Sequence, residues 1–200
     1  MKKLITPIGI PKVYVQDSSG MNSQWMDIYS RLYKERILFL FQLLDDDFIN
    51  QMIAMLLYLD SEDQYSSIYF YINSLGGSIL SGIGLYDTIC YISSDVITLC
   101  LGIASSISSL ILSTGKYTKR MILPHSRVMI HQPQSQCYGQ ASDILLESEE
   151  ILRLRRLLGK LYVERTNQSL TRVSRDLDRD SFLSAREAKN YGIVDNILTN

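Results

Sequence analysis

Four serines and one histidine are the residues of this chain whose types could perform hydrolytic chemistry. The serines lie in the run from Gly102 to Ser109, and His131 follows the apolar run 128–130. A serine hydroxyl is a weak nucleophile unless a positioned base removes its proton, and histidine suits that task best. Only His125 and His131 are available as the base. The pattern predicts a serine nucleophile with a histidine base, and ordinary helix capping by the same serines is the competing interpretation.

A pair of glycines, Gly76 and Gly77, follows a strand-like run and is the second candidate feature. Glycines let backbone N–H groups approach a ligand without a Cβ in the way, although a simple turn is the competing interpretation. The spacing matches neither a Walker loop nor Gly-x-Gly-x-x-Gly, so a nucleotide site is rejected. The acids of the segment 174–182 could orient a histidine, and a solvated charged face is the alternative.

Helical and strand-like segments alternate along the chain with a short period. This alternation predicts an α/β fold with parallel crossovers. Gly102 is expected to turn the chain out of a strand, which places Ser106 in the first turn of the next helix, near unpaired N–H donors. We predict strands at 37–41, 67–72, 96–101, 120–123 and 128–131, and helices at 27–36, 105–114 and 142–166, with further helices after Asp45 and up to Tyr91.

The composition predicts one soluble domain without a nucleic-acid or membrane partner. The 200 residues are 46% hydrophobic and 20% charged, with a formal net charge of −1. Such a balance gives no global electrostatic reason to bind nucleic acid or an acidic membrane. No apolar run approaches the ~18 residues of a membrane-spanning helix. Three cysteines in separate segments indicate free thiols in a reducing compartment.

Five segments form a distinctive set when they are taken together: Asn-Ser-Leu-Gly-Gly at 73–77, Gly-Ile-Ala-Ser-Ser at 102–106, Arg-Val-Met-Ile-His-Gln-Pro at 127–133, and the runs 178–185 and 187–195. The set closely resembles the proteolytic subunits of the Clp protease family, over residues 7–198. The resemblance implies an α/β, ClpP/crotonase-like spiral of βαβ units with a protruding long helix-strand handle at about 133–166. It also implies an N-terminal axial arm over residues 1–20 and a single peptidase domain over 21–200.

The same resemblance implies a role for each site residue. Ser106 is the nucleophile, His131 is the general base and then the acid, and Asp180 orients His131. The backbone N–H groups of Gly77 and Ile107 form the oxyanion hole. The expected activity is that of a serine endopeptidase that passes through an acyl-enzyme on this Ser-His-Asp triad.

An assembly is implied as well. Asp178 and Arg179 match the pair that couples contact between rings to the active state, and helix 142–166 is expected where the rings meet. Family members stack two seven-membered rings of proteolytic subunits, and a AAA+ Clp ATPase delivers unfolded protein substrates. Substrate is expected as an added strand beside 77–80 and 133–137. The chain has no Walker motif, so the partner would use the ATP, and neither a cofactor nor a metal is expected here.

Departures from the family pattern leave an alternative open. Leu75, Ile107 and Ser108 stand where the family usually has proline, methionine and glycine, and Ser135 and Gln136 replace glycines. The chain could therefore be a catalytically weak or inactive structural subunit of the ring. A crotonase-type acyl-CoA enzyme is the second alternative, although it would not need the serine, the histidine and the aspartate together.

The beginning of the chain bears on its location. Residues 6–13 resemble the opening of plastid-encoded family members. No Ser/Arg-rich transit peptide precedes this segment, so synthesis inside the organelle is expected. The resemblance therefore predicts the plastid stroma, with a bacterial cytoplasm as the alternative.

Overall fold

A computed structural model describes residues 9–16, 23–136 and 138–199. Residues 1–8 and 17–20 of the expected axial arm, and Cys137, lie outside the described residues. The strands are β1 (Lys12–Gln16), β2 (Ser23–Asp27), β3 (Ile37–Leu40), β4 (Ile68–Ser74), β5 (Val96–Ser105), β6 (Arg120–Ile122), β7 (Arg127–Ile130), β8 (Ser181–Ser184) and β9 (Asn196–Ile197), and the helices are α1 (Ile28–Lys34), α2 (Asp46–Glu62), α3 (Ile79–Tyr91), α4 (Ile107–Thr114), α5 (Ala141–Thr166), α6 (Leu170–Leu177) and α7 (Ala185–Tyr191).

The main sheet of the described residues has the order β3-β4-β5-β6-β9, and β7 and β8 extend it from the far end of β5. The five strands of that order run parallel, and α2, α3 and α4 connect the first four of them. Parallel strands are covered on both faces and are therefore strongly apolar. Leu38, Phe70 and Ile72, which lie on β3 and β4, are fully buried. The predicted α/β class is confirmed.

Strand β5 is longer than the sequence pattern predicted. Its first half pairs with β6, and its second half pairs with β7 through Ile103 to Ser105. The expected turn at Gly102 is wrong, because Gly102 lies inside the strand. A Cβ there would approach Asn73 Oδ1 to 2.6 Å, and that oxygen accepts from the N–H of Ile103 at 3.1 Å. The glycine makes room for a side chain rather than for a turn.

Helix α5 is the long helix that the sequence predicted at 142–166. Its 26 residues span about 39 Å at 1.5 Å each. Residues 141–150 are all exposed, whereas the inner half buries Leu158, Gly159, Tyr162 and Thr166. The strand expected in the handle is not present at 133–136, because within the described residues no strand lies beside this segment to pair with it. Only the helix of the expected helix-strand handle is formed in the single chain.

A buried ion pair joins the end of the sheet to two helices. The Arg120 guanidinium donates to Asp195 through Nε at 2.9 Å and NH2 at 2.6 Å. Its NH1 donates to the carbonyls of Arg165 and Ser113, which lie on α5 and α4. Burial raises the pKa of the Asp195 carboxyl, but the hydrogen bonds and charge of Arg120 outweigh it and leave that pKa below its usual value.

We expect Asp195→Asn to lower the free energy of unfolding at pH 7 by about 2 kcal/mol, because the Arg120 side chain is only 4% exposed and would lose its counter-charge. Since the folded-state pKa is depressed, the contribution is fully present above the ordinary carboxyl pKa and is lost as the pH falls through the lowered value. Urea unfolding of the full chain at several pH values measures this loss of free energy and its dependence on pH.

Asp95→Asn is the matched control, since Asp95 pairs with Lys116 and Lys119 at the surface. It should cost less than about 1 kcal/mol. Equal losses in the two variants, or a loss at Asp195 that does not shrink in acid, would contradict the assignment.

Candidate active site

Ser106 lies at the junction between β5 and α4 in a conformation that non-glycine residues rarely adopt. Its backbone angles are φ 57° and ψ −130°. The residue is the N-cap of α4 and not a member of its first turn, as the sequence had suggested. Its side chain makes no capping hydrogen bond, so the interpretation of this serine as an ordinary cap is wrong. Sharp strand-to-helix turns of this kind present a serine hydroxyl at the edge of a sheet.

The two neighbours of Ser106 in the sheet fix its position. The Ser106 N–H donates to the carbonyl of Met129 in β7 at 2.9 Å. On the other side, a Cβ added to Gly76 would lie 2.8 Å from the Ser106 Cβ and 2.9 Å from the Ser105 carbonyl oxygen. Gly76 also has φ +96°. Only glycine allows the loop to lie this close to the serine.

The glycine loop is held by the chain that leads into α2. The N–H of Leu44 donates to the Gly76 carbonyl at 2.9 Å, and the N–H of Ser78 donates to the Leu44 carbonyl at 2.7 Å. Between these two bonds, the N–H of Gly77 has no acceptor among the described residues, and the same is true of the Ile107 N–H. Both N–H groups of the expected oxyanion hole are therefore available as donors.

His131 and Asp180 occupy facing positions at the open end of one strand pair. Strands β7 and β8 are antiparallel, with Ile130 opposite Ser181. One step beyond this pair, the same register sets His131 opposite Asp180. Directly opposite residues of an antiparallel pair project their side chains on the same face. Continued by one residue pair, the register of two short strands therefore brings residues that are far apart in sequence to facing positions.

A cavity of about 480 Å³ surrounds this pair and is lined by His131, Gln132, Gln134, Asp178, Arg179 and Asp180. The His131 Nδ1 atom is buried and has no hydrogen-bond partner within the described part of the chain, while Asp180 is exposed. Among the described residues, no hydrogen bond joins Ser106 to His131 or His131 to Asp180. The single chain brings the expected triad to one edge of the sheet without linking its members.

Asp178 ties the loop before β8 to the rest of the site. Its carboxylate accepts a hydrogen bond from Arg155 on α5. Its carbonyl accepts from Gln132 Nε2, next to His131, at 3.3 Å. Arg179 lines the same cavity and is exposed. Asp178 therefore links α5 to Gln132, the residue that follows His131.

Three of the five departures from the family pattern, Leu75, Ile107 and Ser108, fall in different environments. Leu75 is 62% exposed. Ile107 is buried against Gly82, where an added Cβ would approach Ile107 Cγ1 to 2.2 Å. Ser108 is fully buried, and its Oγ has no hydrogen-bond partner among the described residues. An unsatisfied buried hydroxyl costs roughly 1–3 kcal/mol, so Ser108 is the departure that destabilises the folded chain.

Two further hydroxyls lie at the site, and the sequence reasoning did not assign them to it. Tyr162, a buried residue of α5, donates to the Ser106 carbonyl at 3.1 Å. Ser109, which resembled a capping residue, donates to the same oxygen at 2.7 Å. The available signal was the tyrosine itself, because a buried tyrosine hydroxyl usually has a hydrogen-bond partner.

The described residues contain no group of three His, Cys, Asp or Glu side chains placed to hold a metal ion. None of their helices combines the length and apolarity needed to cross a membrane. Of the cysteines in this part of the chain, Cys90 is an exposed thiol and Cys100 a buried one. Burial raises the pKa of the Cys100 thiol to about 11, so this residue stays protonated and unreactive.

A serine held at the end of a parallel strand, with free backbone donors on either side, is the arrangement of a serine hydrolase. Comparison with known proteins narrows this class. A family model described as Clp protease matches residues 19–200. The chain belongs to the Clp protease family and is a serine peptidase of that family.

The relatives are similar over almost their whole length. The ATP-dependent Clp protease proteolytic subunit of Bigelowiella natans is 69% identical over 194 residues, which are 97% of this chain and 100% of that protein. The proteins of the same name from Oltmannsiellopsis viridis and Chlorella vulgaris are 55% and 54% identical, over 96% of this chain and 99% and 95% of their own lengths. The resemblance inferred from the sequence motifs is confirmed.

We expect Gly76→Ala to reduce kcat/KM for a short fluorogenic peptide roughly 100-fold, because a displacement of the reacting groups of about 1 Å has effects of that size. The added Cβ would push on the Ser106 Cβ and on the Ser105 carbonyl. Gly84→Ala in α3 is the matched control, since its Cβ would meet nothing closer than Ile53 Cδ1 at 3.9 Å. The control should keep full activity, and a fully active Gly76→Ala ring would disprove the close approach.

Proposed function

We propose that this chain is a proteolytic subunit of an ATP-dependent Clp protease, in which Ser106, His131 and Asp180 form the catalytic triad. The observation that carries the proposal is the Ser106 turn. Its φ of 57° presents a hydroxyl that makes no capping hydrogen bond, next to two N–H donors that have no acceptor among the described residues. The register of β7 and β8, continued by one residue pair, supports the histidine and the aspartate as its partners.

The chemistry follows the order of these groups. The Ser106 Oγ attacks a peptide carbonyl while Nε2 of His131 takes its proton, and the N–H groups of Gly77 and Ile107 stabilise the oxyanion. The C–N bond then breaks as His131 returns the proton to the leaving amine. A water molecule, activated by the same imidazole, hydrolyses the acyl-enzyme. Asp180 holds the tautomer that has its proton on Nδ1.

The proposed active state requires two hydrogen bonds that are missing among the described residues of the single chain, one from Ser106 to His131 and one from His131 to Asp180. Asp180 is exposed and the buried Nδ1 of His131 has no acceptor among the described residues, so the carboxylate must approach the imidazole. The link from Asp178 to Arg155 connects this loop to α5. We place the other proteolytic subunits, in two stacked seven-membered rings, against the exposed outer half of α5. Their contact would complete the triad, as the resemblance implies for Asp178 and Arg179.

The remaining partners follow from the same proposal. A AAA+ Clp ATPase delivers unfolded protein and consumes the ATP, and the chain itself uses no cofactor. The relatives come from algae and plants, which supports a plastid location, and we propose the stroma. The substrate strand was expected to pair with residues 77–80, but Ile79 and Leu80 already belong to α3. We therefore propose pairing with a shorter segment, which ends before α3.

A fluorophosphonate probe tests the nucleophile on the purified ring. We expect labelling at Ser106, and at least roughly a 1,000-fold loss of peptide cleavage in Ser106→Ala. Ser108→Ala is the matched control, because it removes a neighbouring hydroxyl that has no partner. It should keep full labelling and raise the free energy of unfolding by about 1 kcal/mol.

Three outcomes would change the proposal. Labelling of a different serine would overturn the assignment of the nucleophile. An intact ring that neither reacts with the probe nor cleaves peptides would identify the chain as a structural subunit. Cleavage that survives Asp180→Asn undiminished would remove that residue from the triad, because a wrong histidine tautomer should cost roughly 10⁴-fold in kcat.

A further inference from the structure

The carbonyl oxygen of Ser106 is the acceptor of an unusually complete set of hydrogen bonds. The Ser109 N–H donates to it at 3.0 Å and the Ser109 hydroxyl at 2.7 Å. The Tyr162 hydroxyl donates to it from α5 at 3.1 Å. The two hydroxyls also contact one another at 2.6 Å. We name the Tyr162 and Ser109 hydroxyls the carbonyl clamp.

The position of this oxygen determines the direction of a donor. The Ser106 carbonyl and the Ile107 N–H belong to one planar peptide unit and point in opposite directions. Whatever fixes the oxygen therefore fixes the N–H, which we assigned to the oxyanion hole. We propose that Tyr162 and Ser109 are positioning residues that hold the Ile107 N–H toward the oxyanion. The inference rests on the proposed function.

The strained turn is the reason that such a clamp is needed. Ser106 has φ 57°, and a residue held in a sparsely populated region costs roughly 1–3 kcal/mol. The peptide that follows can relax by rotating, and this rotation would carry the Ile107 N–H away from Gly77. Donors on the carbonyl oppose the rotation, because it would remove their acceptor inside the protein.

Either hydroxyl of the clamp can hold the carbonyl oxygen without the other. Tyr162 and Ser109 each carry one hydroxyl hydrogen, and the two hydrogens serve three contacts. If Ser109 donates to the carbonyl, Tyr162 can donate to Ser109 or share its hydrogen with the carbonyl. If Tyr162 donates to the carbonyl, Ser109 can donate to Tyr162. At least one hydroxyl thus holds the oxygen in every arrangement, and a single deletion leaves the other in place.

The surroundings keep Tyr162 in its donor form. The residue is 3% exposed, and burial raises the pKa of its hydroxyl far above the usual value. The Thr166 hydroxyl donates to the Tyr162 carbonyl at 2.6 Å within α5. The Tyr162 hydroxyl therefore keeps its proton around neutral pH, and the loss of the clamp should leave the shape of the pH profile of kcat unchanged.

A double-mutant cycle on the assembled ring tests the proposal, with Tyr162→Phe, Ser109→Ala and the double variant. We expect each single change to lower kcat roughly threefold, since one hydroxyl remains. The double variant should lose roughly 100-fold, more than the product of the two. KM should stay within a factor of two, because the oxyanion forms only in the transition state.

Matched controls exist on α4, which also carries Ser109, and on α3. Ser113→Ala removes the same kind of bond in α4, since Ser113 Oγ donates to the Leu110 carbonyl at 2.7 Å. Tyr86→Phe removes a buried hydroxyl that accepts from Arg165 on α5. Neither group touches Ser106. The double control should keep kcat within a factor of two, so it separates positioning from a general loss of packing.

A peptide aldehyde provides a second readout, because its adduct with the serine carries the oxyanion. Its Ki should rise in proportion to the fall in kcat in every clamp variant. If the double variant does not assemble, the Ki of the single variants decides the question. An unchanged Ki, or a double variant whose loss merely equals that of the double control, would overturn the inference alone. A wild-type ring that is inactive would overturn the proposed function, and the inference with it.

Discussion

The conformation of Ser106 is the constraint on which the rest of the site depends. A residue with φ 57° between a strand and a helix is not stable by itself. Here it is bonded from both ends, by Met129 on its N–H side and by Ser109 and Tyr162 on its carbonyl side. Strand β7, helix α4 and helix α5 each contribute a hydrogen-bonding group to this one residue.

Local patterns were sufficient to predict most elements. The apolar spacing of α5 and the alternating burial of β4 are properties of contiguous residues, and both elements have the predicted type. Asp45 caps α2 by accepting from the Phe48 N–H at 2.8 Å, as its acidic run indicated. The motifs around Ser106 and His131 were also contiguous, and they were sufficient to identify the family.

Long-range pairing explains what the sequence could not predict. The local sequence around Gly102 predicts a turn. Only the position of Asn73 shows that this glycine lies within a strand and makes room for the Asn73 side chain. The facing of His131 and Asp180 depends on the register of β7 and β8, which no local pattern encodes. Tyr162 fits an apolar stripe because its ring is apolar, and the partner of its hydroxyl lies on a different element.

The register of β7 and β8 has a mechanical consequence. The segment from His131 to Asp180, which includes α5 and α6, is topologically the loop of one β-hairpin. These two residues are the first and the last of that loop. Backbone bonds hold the two strands together, whereas the outer half of α5 is exposed. A force applied to that outer half is therefore transmitted along the loop to its two ends, His131 and Asp180. Such a force would change the distance between the His131 imidazole and the Asp180 carboxylate.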